Sequence, residues 1–165
     1  MPLRIGEAAP PFEAEDALGE RHRLDVLLER GPVVLFFYPR DRTPGCTRQA
    51  CALRDVYAEL RAAGASVLGV GGGDAASHRA FGKAHRLPFP LLLDPGARLA
   101  RRYGATWFGS RLRRRVTYVL DCRGLVRARC LSELRPGRHA QLALQAVLRL
   151  QQEPAPPEPR PPQPR

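Results

Sequence analysis

The sequence predicts an α/β fold, a sandwich in which a central mixed β-sheet carries helices on both faces. Three observations predict it: short apolar runs that read as buried strands, helical-period segments between them, and a turn that joins the last two strands as a hairpin. At the front, Phe12 to Ala14 and Arg21 to Leu24 flank Asp16-Ala17-Leu18-Gly19-Glu20 as a small hairpin. Val33 to Tyr38 (VVLFFY) is rich in β-branched and aromatic residues and bounded by Gly31-Pro32 and Pro39, the pattern of a strand buried on both faces. Cys46 to Ala63 carries apolar residues at Ala50, Leu53, Val56, Tyr57 and Leu60, at helical spacing, and stops at Gly64. Ser66 to Gly71 is a second buried strand, and Asp74 to Arg86 a helix with Asp74 as its N-cap. Pro90 to Asp94 is a third strand and Arg98 to Tyr103 a short helix. Val116 to Asp121 and Leu125 to Leu131 pair across Asp121-Cys122-Arg123-Gly124, a hairpin turn by its chemistry, and a helix follows over Arg138 to Leu150 with Leu142, Val147 and Leu150 facing inward.

With 165 residues the chain fits one domain, expected over 1–152. Residues 153–165 (EPAPPEPRPPQPR) are proline at seven of thirteen positions, which predicts an extended, solvated tail. Hydrophobic residues at 44% and charged residues at 26% exclude wholesale disorder. No apolar run approaches the ~18 residues of a membrane span, and Met1 to Glu7 lacks the apolar stretch of a secretory signal, so the expected location is the cytoplasm. Four cysteines are too few for a disulfide-built scaffold.

The net charge of +11 rests almost entirely on arginine, Lys83 being the only lysine among 27 basic residues. Arg98, Arg101, Arg102, Arg111, Arg113, Arg114 and Arg115 follow one another with no acid between them. No helix-turn-helix, RNP-like or zinc-finger pattern accompanies the charge, so a solvated basic face is expected rather than a nucleic-acid site. The spacing of Cys46, Cys51, Cys122 and Cys130 also lacks the close-paired knuckles of a zinc site.

Chemistry concentrates in Pro39 to Cys51 (PRDRTPGCTRQAC), between the most apolar strand and the longest helix. A cysteine in the first turn of a helix lies among unpaired N–H groups at the positive end of the dipole, an environment that favours the nucleophilic thiolate. Thr43 stands three residues ahead of Cys46, and Pro44, which has no N–H, shields the sulfur from water.

The stretch FFYPRDRTPGCTRQAC resembles the peroxiredoxins, whose Pro-x-x-x-Thr-x-x-Cys signature it matches at Pro39, Thr43 and Cys46. The cysteine five positions on, with Gly45 and Thr47 beside the first, is similar to the Q-type or bacterioferritin-comigratory branch. Gly6 to Phe12, Phe89 to Asp94 and Arg115 to Asp121 with Gly124 extend the resemblance over most of the chain. The resemblance implies a thioredoxin-like fold and a thiol peroxidase that needs no metal, flavin or other cofactor. It implies Cys46 as the peroxidatic cysteine, Cys51 as the resolving one, Thr43 and Arg115 as holders of the peroxide oxygens, and Pro39, Pro44 and Gly45 as the substrate-binding surround. The implied partners are hydrogen peroxide or an organic hydroperoxide and a thioredoxin or glutaredoxin reductant; the chain is expected to be a monomer or weak dimer.

In an intact α-helix, residues five apart have Cα atoms about 8.7 Å apart, beyond the ~7 Å limit of a disulfide. A Cys46–Cys51 bond therefore requires the helix to unwind over about Thr43 to Leu53. Two other functions fit the residues, a thiol–disulfide switch with little peroxidase rate and a nucleic-acid module built on the basic face. The family pattern is broken after the second strand, where Gly71-Gly72-Gly73-Asp74 stands in place of the usual Ser and Asp. His78, His85 and His139 read as surface residues, Trp107-Phe108 as core or rim beside the pocket, and Cys122 and Cys130 as bystanders.

Overall fold

The computed structural model describes residues 1–108 and 110–154. A two-stranded ribbon, β1 (Glu13–Glu15) with β2 (Arg21–Arg23), precedes a five-stranded sheet ordered β5-β4-β3-β6-β7. These strands are β3 (Val33–Tyr38), β4 (Ser66–Gly71), β5 (Leu91–Leu92), β6 (Val116–Leu120) and β7 (Val126–Leu131). β3 runs parallel to β4, and β4 to β5, whereas β6 is antiparallel to both β3 and β7. The mixed sheet is the expected one.

The helices are α1 (Leu24–Arg30), α2 (Pro44–Asp55), α3 (Tyr57–Ala62), α4 (Ala75–Ala84), α5 (Arg98–Arg102) and α6 (Gly137–Gln152). Two elements depart from the sequence expectation. Leu24–Arg30 is a helix where the sequence suggests only the end of a strand at Leu24; Leu24 and Leu27 point inward at helical spacing, with Asp25 in the first turn and Arg30 in the last. The single helix expected over Cys46 to Ala63 is two, broken at Val56 (φ −105°, ψ 6°), and the first of them begins earlier, at Pro44, the position where a missing N–H costs nothing. Asp74 caps α4 as expected, accepting the Ser77 N–H at 2.8 Å. The tail expected over 153–165 lies outside the described residues from 155 on; α6 ends at Gln152, and Glu153 is extended.

Alternation along β3 divides the core. Val33, Leu35 and Phe37 join a cluster with Phe12, Leu24, Leu27, Tyr103 and Tyr118 on one face of the sheet. Val34, Phe36 and Tyr38 join Cys46, Ala50, Leu53, Ala140 and Val147 on the other, under α2 and α6. The same alternation on β6 sends Val116, Tyr118 and Leu120 to the first face, which leaves Arg115, Thr117 and Val119 facing α2.

Candidate active site

Cys46 is the third residue of α2. The helix opens on Thr43, in extended geometry, and its first helical bond is from the Thr47 N–H to the Thr43 carbonyl at 2.9 Å. The N–H groups of Gly45 and Cys46 lie ahead of that bond, at the positive end of the helix. The Cys46 side chain is buried at 1% exposure against the sheet. Cys51 is half-buried five residues on, and all four cysteines are free thiols.

Arg115 reaches the sulfur from the end of β6. Its Nη1 donates to Cys46 Sγ at 3.4 Å and to Gln49 Oε1 at 2.9 Å. Its backbone N–H donates to Glu133 Oε1 at 2.9 Å, and its Nε, 3.8 Å from Glu133 Oε2, has no hydrogen-bond partner among the described residues. A Cβ at Gly45 would stand 2.7 Å from Arg115 Nη2, so the absent side chain lets the guanidinium press against the helix start. The neighbouring arginines go elsewhere. Arg113 donates to the Asp94 carbonyl at 2.5 Å, and Arg114 stacks over Trp107 at 4.3 Å from the ring centre.

The Thr43 hydroxyl donates to the Arg40 carbonyl at 3.2 Å instead of capping the helix, which closes the loop between β3 and α2. Pro44 is exposed on its first turn, and Pro39 is half-buried at the end of β3. Phe108 is fully exposed, and Trp107 beside it is half-buried.

Behind the arginine runs a buried polar chain that the sequence reading missed. Gln49 Nε2 donates to Thr117 Oγ1 at 3.4 Å, and Thr117 Oγ1 lies 2.8 Å from His139 Nδ1. His139 Nε2 lies 3.0 Å from the Ser132 carbonyl. Burial, with help from the nearby Arg115 charge, pulls His139 from 6.5 down to about 4, against the opposing bond to Ser132. The neutral ring then donates from Nε2 to Ser132 and accepts the Thr117 hydroxyl at Nδ1, which orients Gln49 toward Arg115. The signals were available: Gln49 is one helical turn from Cys46, and Thr117 is two residues along the strand from Arg115.

His139 is therefore core, as is His78, because α4 and α6 turn those positions toward the sheet; His85 is half-buried against Phe81. The His139 shift has a consequence for stability. An unfolded His139 binds a proton below about pH 6.5 while the folded one binds it only near pH 4, so stability is intact above 6.5 and falls as pH drops toward 4. The fall from 6.5 to about 4 corresponds to about 3 kcal/mol. Urea denaturation at pH 7.5, 5.5 and 4 should show this decline, and His139→Gln should flatten it.

Among the described residues, one group gathers three metal-binding side chain types, Asp16, Glu20 and His22, remote in sequence from the Cys46 loop. The Asp16 carboxylate already accepts the N–H groups of Leu18 and Glu20 and faces His22 Nε2 at 2.8 Å, so its oxygens are occupied by the protein itself.

A buried cysteine at a helix start, an arginine against its sulfur and a second cysteine one turn further along, on a thioredoxin-like sheet, define a thiol peroxidase of the peroxiredoxin class. The chain belongs to the AhpC/TSA family, whose profile matches residues 5–129. Within it the chain is similar to chloroplastic peroxiredoxins Q. It is 43% identical to that of Populus jackii over 144 residues, 86% of this chain and 67% of the relative, and 46% identical to that of Oryza sativa subsp. japonica over 136 residues, 81% and 62%. The chain thus spans about two thirds of these plant relatives' length. Among solved structures it resembles peroxidoxin BcpB from Mycobacterium tuberculosis, with a TM-score of 0.83, 35% identity and 89% and 97% of the two chains covered. The Xanthomonas campestris bacterioferritin comigratory protein, whose structures concern its alkyl peroxide reduction activity, aligns with a TM-score of 0.77 at 25% identity over 86% and 92%. Among the described residues, no helix is long and apolar enough to cross a membrane.

Proposed function

We propose that Cys46 attacks the peroxide O–O bond and that Cys51 resolves the product. The observation that carries this reading is the Arg115 guanidinium donating to a buried Cys46 sulfur at the start of α2. The Cys46 thiolate takes the distal oxygen of the peroxide and becomes the sulfenic acid, and the O–O electron pair leaves on the other oxygen, which picks up a proton as water or alcohol. Arg115 steadies the negative charge as it passes from sulfur to that oxygen, with the N–H groups of Gly45 and Cys46 as further fixed donors. Thr43, with Pro39, Pro44 and Gly45 around it, forms the wall of the peroxide site. The Cys51 thiol then attacks the Cys46 sulfur, a disulfide forms and water is released. A dithiol protein, a thioredoxin or glutaredoxin, returns both thiols and is itself oxidised.

The place of Cys51 on the same helix, five residues from Cys46, supports the pairing, because opening α2 is the one movement needed to bring the two sulfurs together. The alkyl peroxide activity of the Xanthomonas campestris relative supports organic hydroperoxides as substrates beside hydrogen peroxide. The cytoplasm is the proposed compartment, because a cycling dithiol needs surroundings that return it to the thiol state. The proposed assembly is a monomer or weak dimer.

Mass spectrometry after one equivalent of peroxide tests the mechanism. The expected product has lost two hydrogens, mapped to the peptide that holds Cys46 and Cys51. A stable sulfenic or sulfinic acid on Cys46, or a disulfide to Cys122 or Cys130, would remove Cys51 from its role.

A further inference from the structure

Three side chains close around one carboxylate in the loop that delivers Cys46. Asp41 Oδ1 accepts the Tyr38 hydroxyl at 2.7 Å, and Asp41 Oδ2 accepts the Ser77 hydroxyl at 2.7 Å and faces His78 Nδ1 at 2.6 Å. The His78 and Asp41 side chains are 0% and 2% exposed, and His78 Nε2 lies 3.1 Å from the Leu92 carbonyl. Burial works against the Asp41 carboxylate, but the hydrogen bonds from His78, Ser77 and Tyr38 outweigh it and hold the carboxyl below its usual range. Tyr38 moves the opposite way, pushed up by burial and then by Asp41, so it stays a phenol and a donor. One residue of the Cys46 loop is thus fastened to the end of β3 and to the first turn of α4.

The triple glycine that departs from the family pattern belongs to the same fastening. A Cβ at Gly73 would stand 2.5 Å from Asp41 Oδ2, one at Gly72 would run into the Pro39 carbonyl, and one at Gly71 into the Tyr38 ring. Bare backbone over 71–73 is what lets the two loops seat on each other, and the Asp41 N–H points to the Gly72 carbonyl at 3.4 Å. Directly after the anchor, Arg42 sits at φ +65°, a left-handed conformation that costs strain in a non-glycine residue. Two residues later α2 begins.

We infer that the buried Asp41–His78 pair, with Ser77 and Tyr38, is the anchor that sets the upstream border of the redox unwinding, with Arg42 as its hinge. Asp41 and His78 are positioning residues. They hold the loop so that the segment from Arg42 onward can leave Arg115 for the disulfide and return to it after reduction. The inference rests on the Cys46–Cys51 reading above. Weakening the anchor raises the population of the unwound loop. The first step with peroxide then slows, and the sulfenic acid is diverted from further oxidation toward the disulfide.

Hydrogen exchange followed by mass spectrometry, on reduced and peroxide-treated protein, tests this. In the wild type, oxidation should raise exchange over residues 42–53 while 38–41 and 71–78 stay protected. Ser77→Ala removes one donor, and the double variant Asp41→Asn/His78→Gln removes the carboxylate and its imidazole partner together, so that neither is left buried without the other. In the reduced state each should exchange faster over 44–50, by about tenfold in the double variant. Each should also form less Cys46 sulfinic acid relative to disulfide under excess peroxide, a partition that a mere loss of overall stability would not shift in this direction. Loss of protection over 38–41 and 71–78 in the oxidised wild type, or an unchanged partition in both variants, overturns the anchor. If no Cys46–Cys51 disulfide appears by mass, the parent reading fails on its own, and the reduced-state exchange rates still decide whether Asp41 restrains α2.

Discussion

Cys46→Ser is expected to abolish peroxide consumption, leaving only the rate of the reductant with peroxide alone. A serine oxygen in the same place keeps the shape of the helix start but has neither the accessible anion nor the two electrons that sulfur gives up. Cys46 is buried in the apolar layer between α2 and the sheet, and serine is close to it in volume, so the variant should fold. The measurement is peroxide loss in a coupled assay with a dithiol protein, alongside the circular dichroism of the variant. Retained turnover would shift the chemistry to another thiol, whereas Cys51→Ser should keep the first, single-turnover reaction and lose only recycling. Salt-sensitive DNA binding by Cys46→Ser would favour the alternative built on the basic face.

Arg115→Lys should lower kcat/KM for hydrogen peroxide by about 10²- to 10³-fold, the usual cost of removing one charge-stabilising donor from a buried site. A lysine ammonium is a point charge on a flexible stem and lacks the rigid guanidinium plane that holds Nη1 on both Gln49 Oε1 and the Cys46 sulfur. The same change leaves Gln49 Oε1 unpaired in the core, which should cost about 1–3 kcal/mol of stability. Stopped-flow peroxide kinetics, read beside a urea melt, separates the two effects. If the rate falls no further than the stability loss accounts for, the arginine is packing and not catalysis. Arg114→Lys serves as the control, because its guanidinium lies on Trp107 and not at the sulfur.

Much of this site was legible before the fold was known, because its parts are local. Pro39, Thr43, Cys46 and Cys51 fall within thirteen residues, and the apolar run before them and the helical spacing after them mark the turn from strand to helix. The resemblance implies Arg115, and the sheet places it on the Cys46 face together with Thr117. What stayed hidden depends on pairing between distant segments. His139 is 90 residues from Gln49, and His78 is 37 from Asp41; a histidine on an amphipathic helix looks alike whether its face meets solvent or a buried carboxylate. The triple glycine stands out in the sequence only as a break in the family pattern, whereas its lack of side chains is what allows tight seating against Tyr38, Pro39 and Asp41. The break at Val56 was invisible for another reason: apolar spacing passes through it undisturbed, since Leu53 and Leu60 both reach the core from separate helices.

That break divides the polypeptide into a stretch that can report on turnover and a stretch that stays silent. Leu60 pins α3 to the core independently of the residues that hold α2. A fluorescent dye attached at Arg48, exposed on α2, would change its signal with each catalytic round, while the same dye at Ala58, exposed on α3, would hold a constant baseline. On the proposed unwinding, the two positions together would form a ratiometric peroxide reporter with an internal reference.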